Sequence, residues 1–128
     1  MDIRYLPIFK QLDNETFNDV IKSSKIYQYK IGQPICLRDK IPSQIQIIVE
    51  GNGRLLSTQK DEKVTATKLG IGSIIGLCSL INAKGCEEVN ASSEVKVLSI
   101  PDFIIRSMAN KVFPPLITIT SADKISFL

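Results

Sequence analysis

The residues of this sequence whose types and spacing could do chemistry are concentrated between positions 70 and 93, in GIGSIIGLCSLINAKGCEEVNASS. Three closely spaced glycines lead into a short apolar segment, a spacing typical of backbone that wraps closely around a small anion. No arginine follows in this stretch, and Glu87 and Glu88 stand where an anion would need positive charge. The stretch therefore leaves two alternatives, a working anion site or the same backbone without its ligand.

Metal, redox and catalytic chemistry have little support in the sequence. The chain has no histidine, and its cysteines, Cys36, Cys78 and Cys86, form no CxxC pair. Each cysteine is interpreted as a small buried hydrophobe, with Cys78 and Cys86 as an alternative redox pair. An enzyme would need one of these two thiols as nucleophile, yet no base accompanies them. We therefore predict a non-enzymatic protein with no catalytic residue, no metal and no cofactor, in a reducing cytoplasm.

Length and charge exclude other classes. The 128 residues suit one domain, and 44% hydrophobic with 23% charged residues is typical of a globular chain. The formal charge is only +3, and the sixteen Lys and Arg are scattered, which does not predict direct binding to nucleic acid. No apolar run reaches the roughly 18 residues that a membrane span needs, and the N-terminus is not a secretory signal.

The first element is predicted to be a helix with one buried face. Asp13 is placed to cap a helix that starts at Asn14, and Ser23 and Ser24 mark its end. Its apolar residues recur at spacings of three and four: Phe9, Leu12, Phe17, Val20 and Ile21.

From Ile26 onward, short alternating runs separated by glycine and proline predict a series of strands in a jelly-roll-like barrel. Residues 44–51 and 53–58 are interpreted as paired strands joined by a tight connection at positions 51–53. Further strands are predicted at 64–70, after a solvated hairpin tip at 59–63, and at 93–100. Arg54 and Lys68 are interpreted as charges on strand surfaces.

The C-terminal part is predicted to begin with a helix from Pro101 to Pro114. Residues 1–113 would form the domain, and residues 114–128 a tail that starts a linker or belongs to a truncated segment. A small C-terminal helix packed on the barrel is the alternative for this tail.

Four segments together resemble the cyclic nucleotide-binding domain found in the catabolite activator protein, in the regulatory subunit of protein kinase A and in nucleotide-gated channels. In chain order they are FKQLDNETF, YKIGQPICLRDKIPSQIQIIVEGNGRLL, LGIGSIIGLCSLI and VKVLSIPDFIIRSM. The resemblance runs from Phe9 to Ile105 and implies a mainly β fold with flanking helices. The expected architecture is a jelly-roll-like β-barrel with an N-terminal helix and a C-terminal exit helix.

The resemblance also implies a site. In that family a phosphate-binding cassette holds the cyclic phosphate with backbone amides at a short helix and with an arginine, while a glutamate binds the ribose hydroxyl. Here the cassette glycines are present, but Leu77 stands at the glutamate position and Gly85 or Cys86 at the arginine position. Lys84 is the nearest cation. The candidate pocket residues are Gly72, Ile75, Gly76, Leu77, Cys78, Ser79, Lys84, Gly85 and Cys86.

These substitutions favour a regulatory or interaction domain that does not bind cAMP or cGMP in the usual way. The alternative is a sensor for a different small anionic or apolar ligand that regulates a fused or partner effector, such as a transporter, a transcription regulator or a kinase. The implied partners are a small-molecule effector and either a second copy of the chain or an effector domain. No DNA-reading helix-turn-helix is visible in the printed sequence.

Overall fold

The computed structural model describes residues 4, 6–10, 12–59, 62–82, 85, 87–105, 117–120 and 124–127. Its helices are short, and none in these ranges is long and apolar enough to cross a membrane. They are α1 (Pro7–Lys10), α2 (Asn14–Ser23) and α3 (Leu77–Asn82). The strands are β1 (Lys25–Tyr29), β2 (Pro34–Cys36), β3 (Gln44–Glu50), β4 (Gly53–Gln59), β5 (Glu62–Leu69), β6 (Ile74–Ile75), β7 (Val89–Ala91), β8 (Val95–Pro101), β9 (Ile117–Thr120) and β10 (Lys124–Phe127).

Two antiparallel four-stranded sheets form the body of the domain. The first sheet has the order β1-β8-β3-β6, and the second has the order β2-β7-β4-β5. Sequence neighbours are often in different sheets, as in a jelly roll, and the prediction of a mainly β fold with flanking helices is confirmed.

In the first sheet, the central strand β3 is buried on both of its faces. On one face, Ile45 and Ile47 of β3 pack with α2, α3 and Phe9. On the other face, Ile48 of β3 and Val97 of β8 pack against the second sheet. Residues 45–48 are therefore all buried, including the polar Gln46, while the strand ends carry Gln44 and Glu50.

Helix α2 forms as the sequence predicts. It starts at Asn14 and ends at Ser23, and the Asp13 side chain accepts a hydrogen bond from Thr16 N at 2.7 Å. This contact satisfies one of the amides that a helix start leaves without an intrahelical acceptor. On the buried side, the rings of Phe9 and Phe17 meet edge to face at 5.4 Å.

The predicted pairing of residues 44–51 with 53–58 is wrong. Strand β3 pairs with β6 and β8, whereas β4 pairs with β5 and β7, so the chain passes from one sheet to the other at Gly51 and Asn52. Gly51 has φ +88, and a Cβ there would overlap the Glu94 carbonyl oxygen. The glycine pattern indicated a hairpin because turns and close backbone approaches both require glycine.

The strands predicted at 64–70 and 93–100 are confirmed with small shifts of their ends, whereas the hairpin tip predicted at 59–63 is wrong at positions 59, 62 and 63, which belong to β4 and β5. Strands β4 and β5 form the predicted hairpin, with Gln59 opposite Glu62. Pro101 is the last residue of β8 rather than the first of a helix, and residues 102–105 form a helical turn. The rest of the predicted exit helix, and the proposed boundary at 113/114, lie outside the described residues.

The tail contains two strands instead of the alternative C-terminal helix. Strands β9 and β10 pair antiparallel, with Ile117 opposite Phe127. A helix over residues 117–120 and 124–127 is therefore wrong, although the apolar, β-branched composition of this segment is typical of strands.

Candidate functional site

The glycine-rich stretch folds into a turn, a short strand and a short helix. Ser73 N donates to the Gly70 carbonyl at 3.1 Å, and Gly72 has the positive φ of +92 that a turn of this kind needs. The turn is tied to β3, since Gly72 N donates to Ile48 O at 2.8 Å and Ile48 N donates to Ser73 O at 3.0 Å. The turn alone therefore accounts for the glycine at position 72, without any contact to a ligand.

Gly76 sets the direction in which α3 begins. Its φ is +95, and a Cβ there would lie 3.2 Å from Gln44 O and 3.3 Å from Pro42 Cγ. Its carbonyl accepts the first helical hydrogen bond, from Leu80 N at 3.0 Å. A side chain at this position would be strained by the backbone angle and crowded by the neighbouring segment.

Two candidate pocket residues on either side of Gly76 belong to the hydrophobic cores. Ile75 is 1% exposed and packs between the two sheets, while Leu77 is 1% exposed and packs with Phe9 and Ile45 on the helix side. Leu77, which stands where the family has a glutamate, therefore anchors α3 to the first sheet. A role for these two side chains in lining a pocket stays a prediction.

The carboxylate of Glu87 occupies the start of α3. Its Oε2 accepts from Gly76 N at 3.0 Å, and its Oε1 accepts from Ser79 N at 3.1 Å and from Ser79 Oγ at 3.3 Å. A negative charge at this end of a helix is favourable, and hydrogen bonds to a carboxylate are stronger than those between neutral groups. The amides that the sequence resemblance assigns to a cyclic phosphate thus donate to a side chain of the same protein.

Glu87 was not among the candidate pocket residues, although the sequence held a signal for it. Its negative charge in a stretch that should attract an anion was interpreted only as repulsive. The backbone that follows it is held in place, because Leu56 N donates to Glu88 O at 2.8 Å and joins this segment to β4. Only the fold brings position 87 to within hydrogen-bond distance of position 76.

Gly85 lies against another part of the backbone. A Cβ at this position would overlap the Arg38 carbonyl oxygen and would lie 2.8 Å from Lys40 N. An arginine at position 85 would therefore require the 38–40 loop to move. Position 85, one of the two positions that the sequence aligns with the family's arginine, therefore has no room for that side chain in this backbone arrangement.

The remaining site residues differ in what the structure reports. Lys84 and Cys86 lie outside the described residues. Cys78 is half-buried, and Cys36 is buried between the sheets, as predicted for a small hydrophobe. No disulfide joins these two cysteines. Within the described ranges, no group of three His, Cys, Asp or Glu residues could hold a metal ion.

A polar network inside the sandwich was missed by the sequence interpretation. Tyr29 Oη donates to Gln46 Oε1 at 2.6 Å, and Gln46 Nε2 donates to Ile35 O at 3.0 Å, which links β1, β3 and β2. Gln46 is only 4% exposed. Burial raises the pKa of the Tyr29 phenol above its ordinary value.

Solved structures of other proteins have the same fold as this chain. No protein-family model and no curated protein matches the chain. A mutant regulatory subunit of a cAMP-independent protein kinase A from Trypanosoma brucei, bound to cAMP in its A site, matches with a TM-score of 0.77. The identity is 18%, over 87% of this chain and 42% of that one. The catabolite activator protein of Thermus thermophilus matches with a TM-score of 0.69 and 20% identity, over 81% of this chain and 50% of that one.

This chain has the cyclic nucleotide-binding fold. A third structure with this fold, the regulatory subunit of a cAMP-independent protein kinase A from Trypanosoma cruzi bound to guanosine, matches with a TM-score of 0.75. Its identity is 18%, over 88% of this chain and 39% of that one. The chain spans half or less of each of these three proteins.

The sequence identities to these three structures are 18% to 20%, so the similarity concerns the fold. The first strands, the glycine turn, α3 and β8 follow one another in the order that the sequence resemblance predicts. In the segment that the resemblance identifies as the cassette, Glu87 accepts from Gly76 and Ser79, and Leu77 is a core residue.

Proposed function

We propose that this chain is a non-enzymatic regulatory or interaction domain that has the cyclic nucleotide-binding fold and does not bind cAMP or cGMP in the usual way. The observation that carries the proposal is the Glu87 carboxylate on the amides of Gly76 and Ser79. Solved proteins with this fold include kinase regulatory subunits and transcription regulators, which supports a regulatory role. The partner would be an effector domain or a second copy of the chain.

A cyclic phosphate would have to displace Glu87 or approach beside it. Displacement breaks three hydrogen bonds to the carboxylate. Approach without displacement brings two negative charges together, which costs from about 1 kcal/mol in water to about 4 kcal/mol near a protein surface at a separation of about 4 Å. Either route weakens binding.

The polar side chains that could offset this loss of affinity for a cyclic nucleotide are also missing. Leu77 replaces the glutamate that the resemblance assigns to the ribose, and Gly85 has no room for an arginine. Each lost charge-assisted contact costs roughly 1.5 to 3 kcal/mol, or about one to two orders of magnitude in affinity. Both losses weaken the binding of a cyclic nucleotide, and so does the Glu87 carboxylate on the amides.

Titration calorimetry with cAMP and with cGMP tests the proposal. We expect no specific heat with either nucleotide, and a dissociation constant of about 1 μM or tighter for either one would overturn the proposal.

A gain-of-binding experiment tests the role of Glu87 directly. The double variant Glu87→Ala with Cys86→Arg removes the carboxylate and adds a cation at the second of the two positions that the resemblance aligns with the family's arginine. We expect it to acquire measurable affinity for cAMP or cGMP, and Cys86→Arg alone to acquire much less. Glu94→Ala with Cys86→Arg is the matched control, because Glu94 is exposed and distant in sequence from α3. Equal binding by both double variants would show that Glu87 does not block the site.

A second candidate function is a sensor for an uncharged ligand. The guanosine-bound Trypanosoma cruzi regulatory subunit shows this fold holding a nucleoside, which has no phosphate. In the present chain the amides already have an anionic acceptor, so a neutral ligand would meet no additional repulsion there. A thermal-shift titration with guanosine and adenosine distinguishes this candidate, since a specific ligand raises the melting temperature and an inert compound does not.

A further inference from the structure

The outer face of the second sheet carries two cations directly opposite each other. Arg54 of β4 is paired with Lys68 of β5, and on its other side Arg54 is paired with Asn90 of β7. We call these three residues the Arg54 patch. Residues in register on neighbouring strands project from the same face of a sheet.

Burial of the neighbouring residues establishes which face this is. Leu55 and Leu69, next to Arg54 and Lys68 in sequence, pack against the core between the sheets. Val89 and Ala91, on either side of Asn90, are also buried there. Because successive strand residues point to opposite faces, the Arg54 patch is on the outside of the sandwich.

The patch combines a like-charge pair with one hydrogen-bond donor that has no partner. Like charges directly opposite on a sheet repel each other, so this pair costs stability unless an anion lies between them. In the part of the chain that the structure describes, Arg54 Nε is the one buried side-chain nitrogen or oxygen atom without a hydrogen-bond partner. A buried guanidinium N–H with no acceptor is unfavourable. Because Nε is closed to solvent, a carboxylate from outside the sheet would bind Arg54 through the terminal nitrogens of its guanidinium.

We propose that the Arg54 patch is the docking site for an acidic segment of a protein partner. A carboxylate of this segment accepts two hydrogen bonds from the planar guanidinium of Arg54, Lys68 contributes a second positive charge, and the Asn90 amide can donate at the other side. The inference rests on the proposed function as an interaction domain and names the surface and the chemistry of its partner.

The position of the patch favours a peptide over a small free anion. Lys68 is exposed and the patch lies on an outward sheet face rather than in a cleft. A lone anion at such a place gains little, because exposed ion pairs are worth only about 0 to 1 kcal/mol. An acidic segment lying across β7, β4 and β5 adds further contacts to the same charge pair.

Amide chemical shifts of the isotope-labelled full chain, followed during titration with a hexaglutamate peptide, test this proposal. The expected result is a saturable change centred on residues 54, 68 and 90, with inorganic phosphate at equal concentration producing a much smaller one. Arg54→Ala should weaken binding by about tenfold or more, and Lys68→Gln by less. Arg54→Lys keeps the positive charge but removes the planar guanidinium with its two parallel donors. This variant replaces Arg54→Ala in the test if Arg54→Ala does not fold. Lys25→Gln, an equal loss of charge on the first sheet, should leave binding within about twofold.

Three results would overturn the proposal. They are shifts centred away from the Arg54 patch, equal weakening by Lys25→Gln and the Arg54 variants, and phosphate binding as tightly as the peptide, which would identify a small-anion site instead. The nucleotide titrations are independent of this experiment. Nucleotide binding with a peptide response at Arg54 would reject the proposed function alone, and no nucleotide binding with no peptide response would reject the docking site alone.

Discussion

Oε1 of Glu87 accepts hydrogen bonds from both the backbone N–H and the hydroxyl of Ser79, at 3.1 and 3.3 Å, and Ser79 is wholly buried. The contact joins the segment before β7 to the first turn of α3. It gives a buried hydroxyl and a helix-start amide an acceptor from within the protein. The amides at the start of α3 thereby donate to a side chain of the same protein.

Removing the Glu87 carboxylate should destabilise the protein. Glu87→Ala leaves the amides of Gly76 and Ser79 without this acceptor, and we expect the free energy of unfolding to fall by about 1 to 3 kcal/mol. Urea denaturation measures the change. Glu94→Ala is the control and should change stability by less than about 0.5 kcal/mol, because Glu94 is an exposed residue. Equal effects of the two variants would contradict the role of the hydrogen bonds.

Tyr29→Phe should lower stability at neutral pH by about 1 to 2 kcal/mol, since Gln46 Oε1 loses its donor from Tyr29 Oη. The half-exposed Tyr27 supplies the control at this pH, and Tyr27→Phe should cost less than about 0.5 kcal/mol. Urea unfolding at pH about 8 gives both values.

The pH dependence of stability provides a second test at the same residue. The pKa of Tyr29 is raised in the folded state above its ordinary value of 10.0, so the folded protein holds the phenolic proton more tightly than the unfolded chain does. The resulting stability is fully present below pH 10 and is lost as the pH rises through the folded-state value. The difference in the free energy of unfolding between the native protein and Tyr29→Phe should therefore become smaller above pH 10. A difference that stays constant there would contradict the assigned cause.

Two glycines with the same backbone angle should respond differently to alanine. Gly51 and Gly32 have φ of +88 and +85, but only a Cβ at Gly51 would overlap the Glu94 carbonyl oxygen, whereas nothing lies within 4 Å of one at Gly32. We expect Gly32→Ala to cost about 1 kcal/mol from backbone strain, and Gly51→Ala at least about 3 kcal/mol. Thermal unfolding compares the two. Similar melting temperatures would show that the 51–94 contact relaxes at little cost.

The cap of α2 offers a local test. Asp13→Ala removes the acceptor of the Thr16 amide and should cost about 1 kcal/mol, whereas Asp13→Ser should retain most of the stability. Asp19, exposed on the same helix, is the control for the loss of one negative charge. An effect of Asp19→Ala as large as that of Asp13→Ala would indicate a general charge effect instead of capping.

Local features of the structure were predictable where neighbouring residues decide them. Asp13 followed by a helical spacing of apolar residues predicts α2, and the charged run between two β-rich segments predicts the β4–β5 hairpin. The pairing at Gly51 could not be predicted in this way. Both a hairpin and a crossing between sheets need a glycine, and the choice depends on the position of Glu94, which is far away in sequence.

The site was predictable in its backbone and not in its contacts. Glycine at positions 72 and 76 permits the positive φ that the structure shows there, because only glycine adopts these angles without strain. Whether Glu87 repels an anion or takes its place depends on where its carboxylate lies relative to α3, and residue spacing contains no such distance. The same holds for Arg54 and Lys68, which the sequence predicts as surface charges and which the register of β4 and β5 makes direct neighbours.

By itself, then, the sequence determined helix α2, the mainly β character of the chain that follows it, the positions of the glycines and the absence of an arginine at position 85 or 86. Tertiary structure alone decided that Leu77 is a core residue, that Gly85 has no room for a side chain and that Glu87 meets the amides of Gly76 and Ser79. The physical reason is that backbone preferences act over a few residues and are readable from residue types. A hydrogen bond between positions 76 and 87, or a clash between positions 38 and 85, exists only once two sheets and a helix have packed.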